Sequence, residues 1–226
     1  MIYCILSSYF HYFVSSIKQK MTEHIDKIIY INLDKREDRY KEINEELERM
    51  DLVNISERFS AIEVLPPMGI LGCGKSHLAV LKLAKERGYK HVLILEDDFQ
   101  FLVDCQEFRA RLTRLFQEHP QFDVCFLTCA LDEGHIIEET PFLSKVVFAS
   151  TASAYIVQAH YLDALIGLYE WAMPELENTC AHWIYANDQV WRDLQKQDHW
   201  ICFTDRLGQQ RPGFSDNTQR FVDRGV

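Results

Sequence analysis

The chain has 226 residues, of which 47% are hydrophobic and 26% charged, and carries a net charge of -10 from 34 acidic and 24 basic side chains. That length fits one large domain with an ample core. The acidic balance excludes a general nucleic-acid binder, which needs a basic face, yet leaves room for an anionic nucleotide held by a local metal and a few arginines.

Residues 1–22 read as a poorly ordered leader. They are rich in Tyr, Phe and Ile but diluted by serines and His11. They are short and polar for a spanning helix, so no strong membrane anchor is expected; a weak tethering helix is the competing reading. Residues 23–226 then form a single domain. A buried strand spans 27–33. Asp34 is expected to cap a charged helix over 36–50, with Ile43, Leu47 and Met50 on its inner stripe. A strand over 58–62 and a loop through Pro66, Pro67 and Gly69 follow. A helix runs over 74–87 and stops at Gly88. The next strand, Val92-Leu93-Ile94-Leu95, ends in Glu96-Asp97-Asp98. A helix over 107–119 and a strand over 122–128 come next. Two further strands over 144–148 and 152–157, helices over 160–173 and 182–197, and a last strand over 200–204 precede an irregular tail. Strands alternating with helices predict an α/β fold with a mainly parallel sheet.

The seven cysteines are Cys4, Cys73, Cys105, Cys125, Cys129, Cys180 and Cys202, with no C-x-x-C pair among them. Cys125 and Cys129 lack a matching second pair, so no zinc signature emerges. Buried thiols in a reducing, cytoplasmic compartment are expected, at most peripheral to a membrane surface.

Ligands of open α/β sheets bind beyond the carboxyl ends of the strands. Three carboxylates at such an end repel one another unless a cation sits among them. Alternation along the strand would point Glu96 and Asp98 one way and Asp97 the other. Their hard oxygens suit Mg²⁺ or Mn²⁺ shared with a phosphate. The plainer alternative is a solvated acidic turn. After the first strand, Asn32 with Arg36 and Arg39 could read a base or ribose and pair with phosphate, or simply cap a helix. Gly69-Ile70-Leu71-Gly72-Cys73-Gly74-Lys75-Ser76 matches G-x-x-x-x-G-K-[ST] and makes a P-loop kinase or NTPase the rival reading. Pro66-Pro67 just upstream does not fit the central strand that a P-loop leaves. Gly72 and Gly74 would in either case let a helix start approach an anion.

The stretch Ile29-Tyr30-Ile31-Asn32-Leu33-Asp34-Lys35-Arg36, followed by Asp38-Arg39, resembles the opening of glycosyltransferase family 25, which includes lipooligosaccharide and collagen galactosyltransferases. Gly72-Cys73-Gly74-Lys75-Ser76-His77 resembles its G-C-x-x-S-H segment, and the strand ending in Glu96-Asp97-Asp98 resembles its E-D-D strand. Ser153-Ala154-Tyr155-Ile156-Val157 and the segment from Gln210 to Arg220, with Ser215-Asp216, resemble two later blocks. The resemblance implies a GT-A type, Rossmann-like nucleotide-sugar-binding fold. It implies a divalent metal, Mn²⁺ or Mg²⁺, and inverting transfer of a hexose, usually galactose from UDP-galactose. It casts Asn32, Arg36 and Arg39 as nucleotide holders and Ser76 and His77 as donor-site residues. Glu96, Asp97 and Asp98 become the acidic site, with Asp98 and Glu96 as metal ligands.

Asp188, in Asn187-Asp188-Gln189, resembles the acid of the corresponding late region. It is the expected general base toward the acceptor hydroxyl. Asp216 is the reserve base, or an acid in a tail that closes over the donor. The acceptor would be a glycan, a lipid-linked glycan such as a lipopolysaccharide precursor, or a hydroxylated protein side chain. A nucleotide-sugar-binding protein without catalysis is the third reading.

Overall fold

The computed structural model describes residues 24–216, 219–223 and 225. The leader reading and Cys4 lie outside the described residues. Six strands form the main sheet: β1 (Lys27–Asn32), β2 (Ser56–Ser60), β3 (His91–Glu96), β5 (Val124–Ile136), β6 (Leu143–Gln158) and β7 (Trp200–Phe203), in the order β2-β1-β3-β6-β5-β7. β2, β1 and β3 pair in parallel, as do β5 and β7; β6 lies antiparallel to β3, β5 and β7. The sheet is therefore mainly parallel, as expected, with one reversed strand near its middle.

Alternation along the strands builds two cores. Ile28, Tyr30, Leu93, Leu95 and Ile156 face helices α1 (Glu37–Arg49) and α3 (Cys105–Glu118), which contribute Ile43, Leu47, Phe108 and Leu115. Ile29, Ile31, Val92, Ile94, Tyr155 and Val157 face α2 (Gly69–Glu86) and α4 (Leu162–Thr179), through Val80, Leu81, Leu165 and Tyr169. The fold is a three-layer α/β/α, Rossmann-like arrangement. The inner stripe expected on α1 is buried: Ile43 and Met50 are fully buried and Leu47 nearly so.

Several expected boundaries shift. Asp34 does not cap α1; its carboxylate accepts from Arg58 at 2.6 Å and Ser60 at 2.8 Å, tying it to β2. The two strands expected between 144 and 157 are one strand, β6, with Thr151 at a positive φ of 76° inside it. The single late helix is three short ones, α5 (His182–Tyr185), α6 (Asn187–Val190) and α7 (Arg192–Gln197); Ala186, at an extended ψ of 151°, separates the first two. The tail expected to be irregular contains β8 (Gly208–Gln210), β9 (Gly213–Ser215) and β10 (Arg220–Val222), and β8 pairs with β4 (Phe99–Phe101) just beyond the acids. Among the described residues no helix is long and apolar enough to cross a membrane.

α2 begins at Gly69, five residues earlier than expected, which overturns the P-loop reading. Its whole G-x-x-x-x-G-K-S segment is helical, so no loop cradles a phosphate. The glycines serve packing instead. A Cβ on Gly72 would stand 2.5 Å from the Ile62 carbonyl oxygen, and one on Gly74 would collide with the Met173 sulfur. Neither opens a helix start toward an anion. Lys75 pairs across the surface with Glu177 at 2.9 Å.

Candidate active site

β1 and β3 are neighbours in register, Ile31 opposite Glu96, so their carboxyl ends deliver Asn32 and the acidic run to one place. An open cleft of about 180 Å³ lies there, lined by Arg39, Glu96, Asp97, Asp98, Asp188 and Asp216 among others. Asn32 Nδ2 donates to Asp97 Oδ2 at 2.8 Å, while its own Oδ1 accepts from Arg58 at 2.9 Å. Arg39, from the first turn of α1, places Nη1 2.9 Å from Asp97 and 3.0 Å from Asp98. Gln210, from β8, inserts Nε2 between the other two carboxylates, 3.2 Å from Glu96 Oε2 and 3.4 Å from Asp98 Oδ1.

Burial and like charge set the electrostatics. Burial, with Glu96 and Asp97 adding repulsion, pushes the Asp98 carboxyl up to about 7 despite Arg39. Burial likewise raises Asp97, opposed by the Arg39 charge and the Asn32 hydrogen bond. Such crowded carboxyls at a strand end mark a site built for charge.

The tail straps the cleft. Arg36 Nη1 reaches Asp216 at 2.6 Å and the Phe214 carbonyl at 3.1 Å; Arg39 Nη2 reaches the same carbonyl at 2.9 Å. Burial works to raise Asp216, yet Arg36 prevails and holds it below the usual carboxylate range. Both arginines expected to hold a nucleotide thus have their donors on protein acceptors. Asp188, at the start of α6, accepts from the backbone N–H of Thr151 at 3.1 Å and from Gln189 at 3.3 Å. The positive φ of Thr151, costly for a β-branched residue, aims that N–H.

Ser76 and His77 lie beneath the cleft, both fully buried. The Ser76 hydroxyl donates to the Gly72 carbonyl at 2.7 Å and accepts from the Ile62 N–H at 2.8 Å, so it pins α2 to the strand-end loop. His77 bridges Tyr155 (2.8 Å) and Glu96 (3.3 Å). Cys73, Asn187 and Gln210 were not singled out as site residues by the sequence. The only signals were Cys73 inside the G-C-x-x-S-H segment and Gln210 at the head of the tail block.

No family model matches the chain. No curated protein matches it either. Among solved structures it is similar to the glycosyltransferase GlyE of Streptococcus pneumoniae (10% identity, TM-score 0.48, covering 81% of this chain and 46% of that one). It is also similar to a glycosyltransferase involved in glycosylation of the major capsid of PBCV-1 (8%, 0.41, 79% and 93%). A third is a mannose-1-phosphate geranyltransferase of Thermus thermophilus (8%, 0.45, 80% and 73%). At scores below one half these likenesses say nothing of activity.

Proposed function

We propose that residues 23–226 form one GT-A glycosyltransferase domain of the family 25 kind. It would be an inverting hexosyltransferase that uses Mn²⁺ or Mg²⁺ and moves galactose from UDP-galactose to a hydroxyl on a glycan, a lipid-linked glycan or a protein side chain. The observation that carries this reading is the convergence of Glu96, Asp97 and Asp98 at the carboxyl end of β3, in one cleft with Arg39 and Asp188.

The donor set fits a hard divalent cation. Glu96 and Asp98 present carboxylate oxygens on either side of the Gln210 amide, the hard donors that such an ion takes. Gln210 supports the same fit: its Nε2 lies between Glu96 and Asp98, and its buried Oε1 has no hydrogen-bond partner among the described residues. Glu96 and Asp98 would hold the ion, whose chemistry is Lewis-acid stabilisation of the departing diphosphate. Asp97 remains the link between β1 and β3. Arg36 and Arg39 would bind the diphosphate by exchanging Asp216 and the Phe214 carbonyl for its oxygens. The volume of the cleft is below the roughly 300–1,000 Å³ of ordinary ligand pockets, so the strap at 213–216 has to yield to a nucleotide sugar. Asp188, its carboxylate oriented by the Thr151 N–H, would accept the proton of the attacking acceptor hydroxyl.

A thermal-shift panel of UDP, UDP-galactose, UDP-glucose, ATP and GTP, with and without Mn²⁺, tests the reading, because a ligand specific to the native state raises its stability by mass action. The expected result is a Mn²⁺-dependent shift with UDP ligands that Asp98→Ala abolishes. Stabilisation by ATP or GTP but not by UDP would overturn it. Donor binding with neither transfer nor donor hydrolysis would leave a binding protein in place of an enzyme.

A further inference from the structure

Cys73 and His77 stand one turn apart on α2, so their side chains share a helix face. Glu96 meets both: its Oε1 lies 3.4 Å from Cys73 Sγ and 3.3 Å from His77 Nε2. The three donor atoms all fall within 4.8 Å of one another. A tetrahedral ion with bonds of about 2.3 Å to sulfur and about 2.0–2.2 Å to nitrogen and oxygen spaces its ligand atoms roughly 3.4–3.6 Å apart. The two edges that meet at Glu96 already have nearly that length.

The surroundings are those of a ligand set rather than a chance contact. His77 turns its other nitrogen, Nδ1, to the Tyr155 hydroxyl at 2.8 Å, the kind of outer partner that fixes the ring of a metal-binding imidazole. Asn187 presents its amide to the sulfur, with Oδ1 3.9 Å from Cys73 Sγ. Asn187 is 2% exposed, and its Nδ2 has no hydrogen-bond partner among the described residues. Cys73 lines the cleft, which supplies an entry path.

We propose that Cys73, His77 and Glu96 form a binding site for a thiophilic divalent cation of the Zn²⁺ class, with its fourth position open to the cleft. Thiolate, imidazole and a single carboxylate oxygen select such an ion over Mn²⁺ or Mg²⁺, which prefer oxygen donors. The site does not depend on the glycosyltransferase reading. It shares one residue with the acidic site: Glu96 gives Oε1 to this trio, while Oε2 faces Gln210. On binding, the Cys73 thiol releases its proton to water as the sulfur–metal bond forms. His77 changes tautomer: the Nε2 proton that it donates to Glu96 leaves to water and Nδ1 takes one up from water, donated to the Tyr155 oxygen, so Nε2 offers its lone pair and the net release is the one thiol proton. Glu96 exchanges the hydrogen bonds at Oε1 for the ion.

Co²⁺ titration of the metal-stripped full chain tests this site. One equivalent should produce a near-ultraviolet sulfur-to-cobalt charge-transfer band together with the visible bands of a tetrahedral ion, and Zn²⁺ should abolish both. Cys73→Ser should lose the sulfur band and weaken Zn²⁺ binding at least about 10-fold. Asp98→Asn and Cys180→Ser should keep the band. As a second measurement on the unmutated chain, Zn²⁺ should protect Cys73 from alkylation, read by peptide mass spectrometry. A cobalt complex without the sulfur band, a band that survives Cys73→Ser, or alkylation of Cys73 unaffected by Zn²⁺ would each overturn the proposal. Sugar transfer enters none of these readouts, so failure here and failure of the glycosyltransferase reading are separable.

Discussion

The side-chain amide of Asn32 donates to the carboxylate of Asp97 at 2.8 Å and so joins the ends of β1 and β3 across 65 residues of sequence. Both groups are buried, at 1% and 7% exposure. Removing the donor leaves a buried carboxylate under-satisfied, a loss of about 1–3 kcal/mol. Asn32→Ala is therefore expected to lower Tm by several degrees, since each kcal/mol is worth roughly 2–4 °C in a domain of this size. Thermal or urea unfolding of the two proteins measures it, and an unchanged midpoint would mean that Arg39 alone satisfies Asp97.

Asp98 gives a pH-dependent prediction. Its carboxyl is pushed up to about 7 by burial and then by Glu96, against about 3.9 in an unfolded chain. The native state thus holds this proton more tightly than the unfolded one. The stability contribution is fully present below about 3.9 and is lost as pH rises from there through about 7. Asp98→Asn keeps a neutral group and should abolish that slope, making the metal-free variant the more stable protein at pH 8. Urea unfolding of both proteins from pH 5 to pH 8 isolates the term as a difference. Equal slopes would show that Asp98 is ionised throughout.

Asp188→Asn preserves an acceptor for the Thr151 N–H, so the fold and donor binding should survive. Loss of a general base should lower kcat by about 10²–10⁴-fold with little change in donor KM. Steady-state transfer assays separate the two parameters. Retained turnover would move the role to another group, and Asp216 would be the next to substitute.

Lys75→Ala should be silent. The lysine makes a surface pair with Glu177, and exposed pairs are worth about 0–1 kcal/mol. UDP binding, transfer and Tm should all stay close to the parent values. Collapse of nucleotide binding in this variant would reinstate a phosphate role for the lysine.

The strands with unbroken apolar runs and the helices with a clear inner stripe were legible in the sequence, and so was the acidic end of β3. Local rules failed where distant contacts decide. Gly69 and Gly72 look like a loop, yet both lie in α2, and Gly72 and Gly74 are glycine because the Ile62 carbonyl and Met173 leave no room for a side chain. Ala149-Ser150-Thr151 reads as a break, yet pairing with β5 carries β6 through it. Within the site, adjacent acids announce themselves. Gln210 does not, because the contact that gives it meaning is with Glu96, 114 residues earlier.

Arg39 and the Phe214 carbonyl it grips are 175 residues apart in the chain. On a ribosome the arginine emerges before its acceptor, with β6, the strand that sits between β3 and β5, made in the interval. Long-range closure of this kind is slow, because loop entropy is lost before the contacts form. The cleft is thus completed only once β9 has been made, and a nascent chain halted before β9 would hold its acids without the segment that covers them. Cleavage ahead of Phe214 with loss of the tail would return the protein to that unfinished state, with Arg36 and Arg39 freed from the Phe214 carbonyl and Asp216 but still held by Asp38, Asp97 and Asp98.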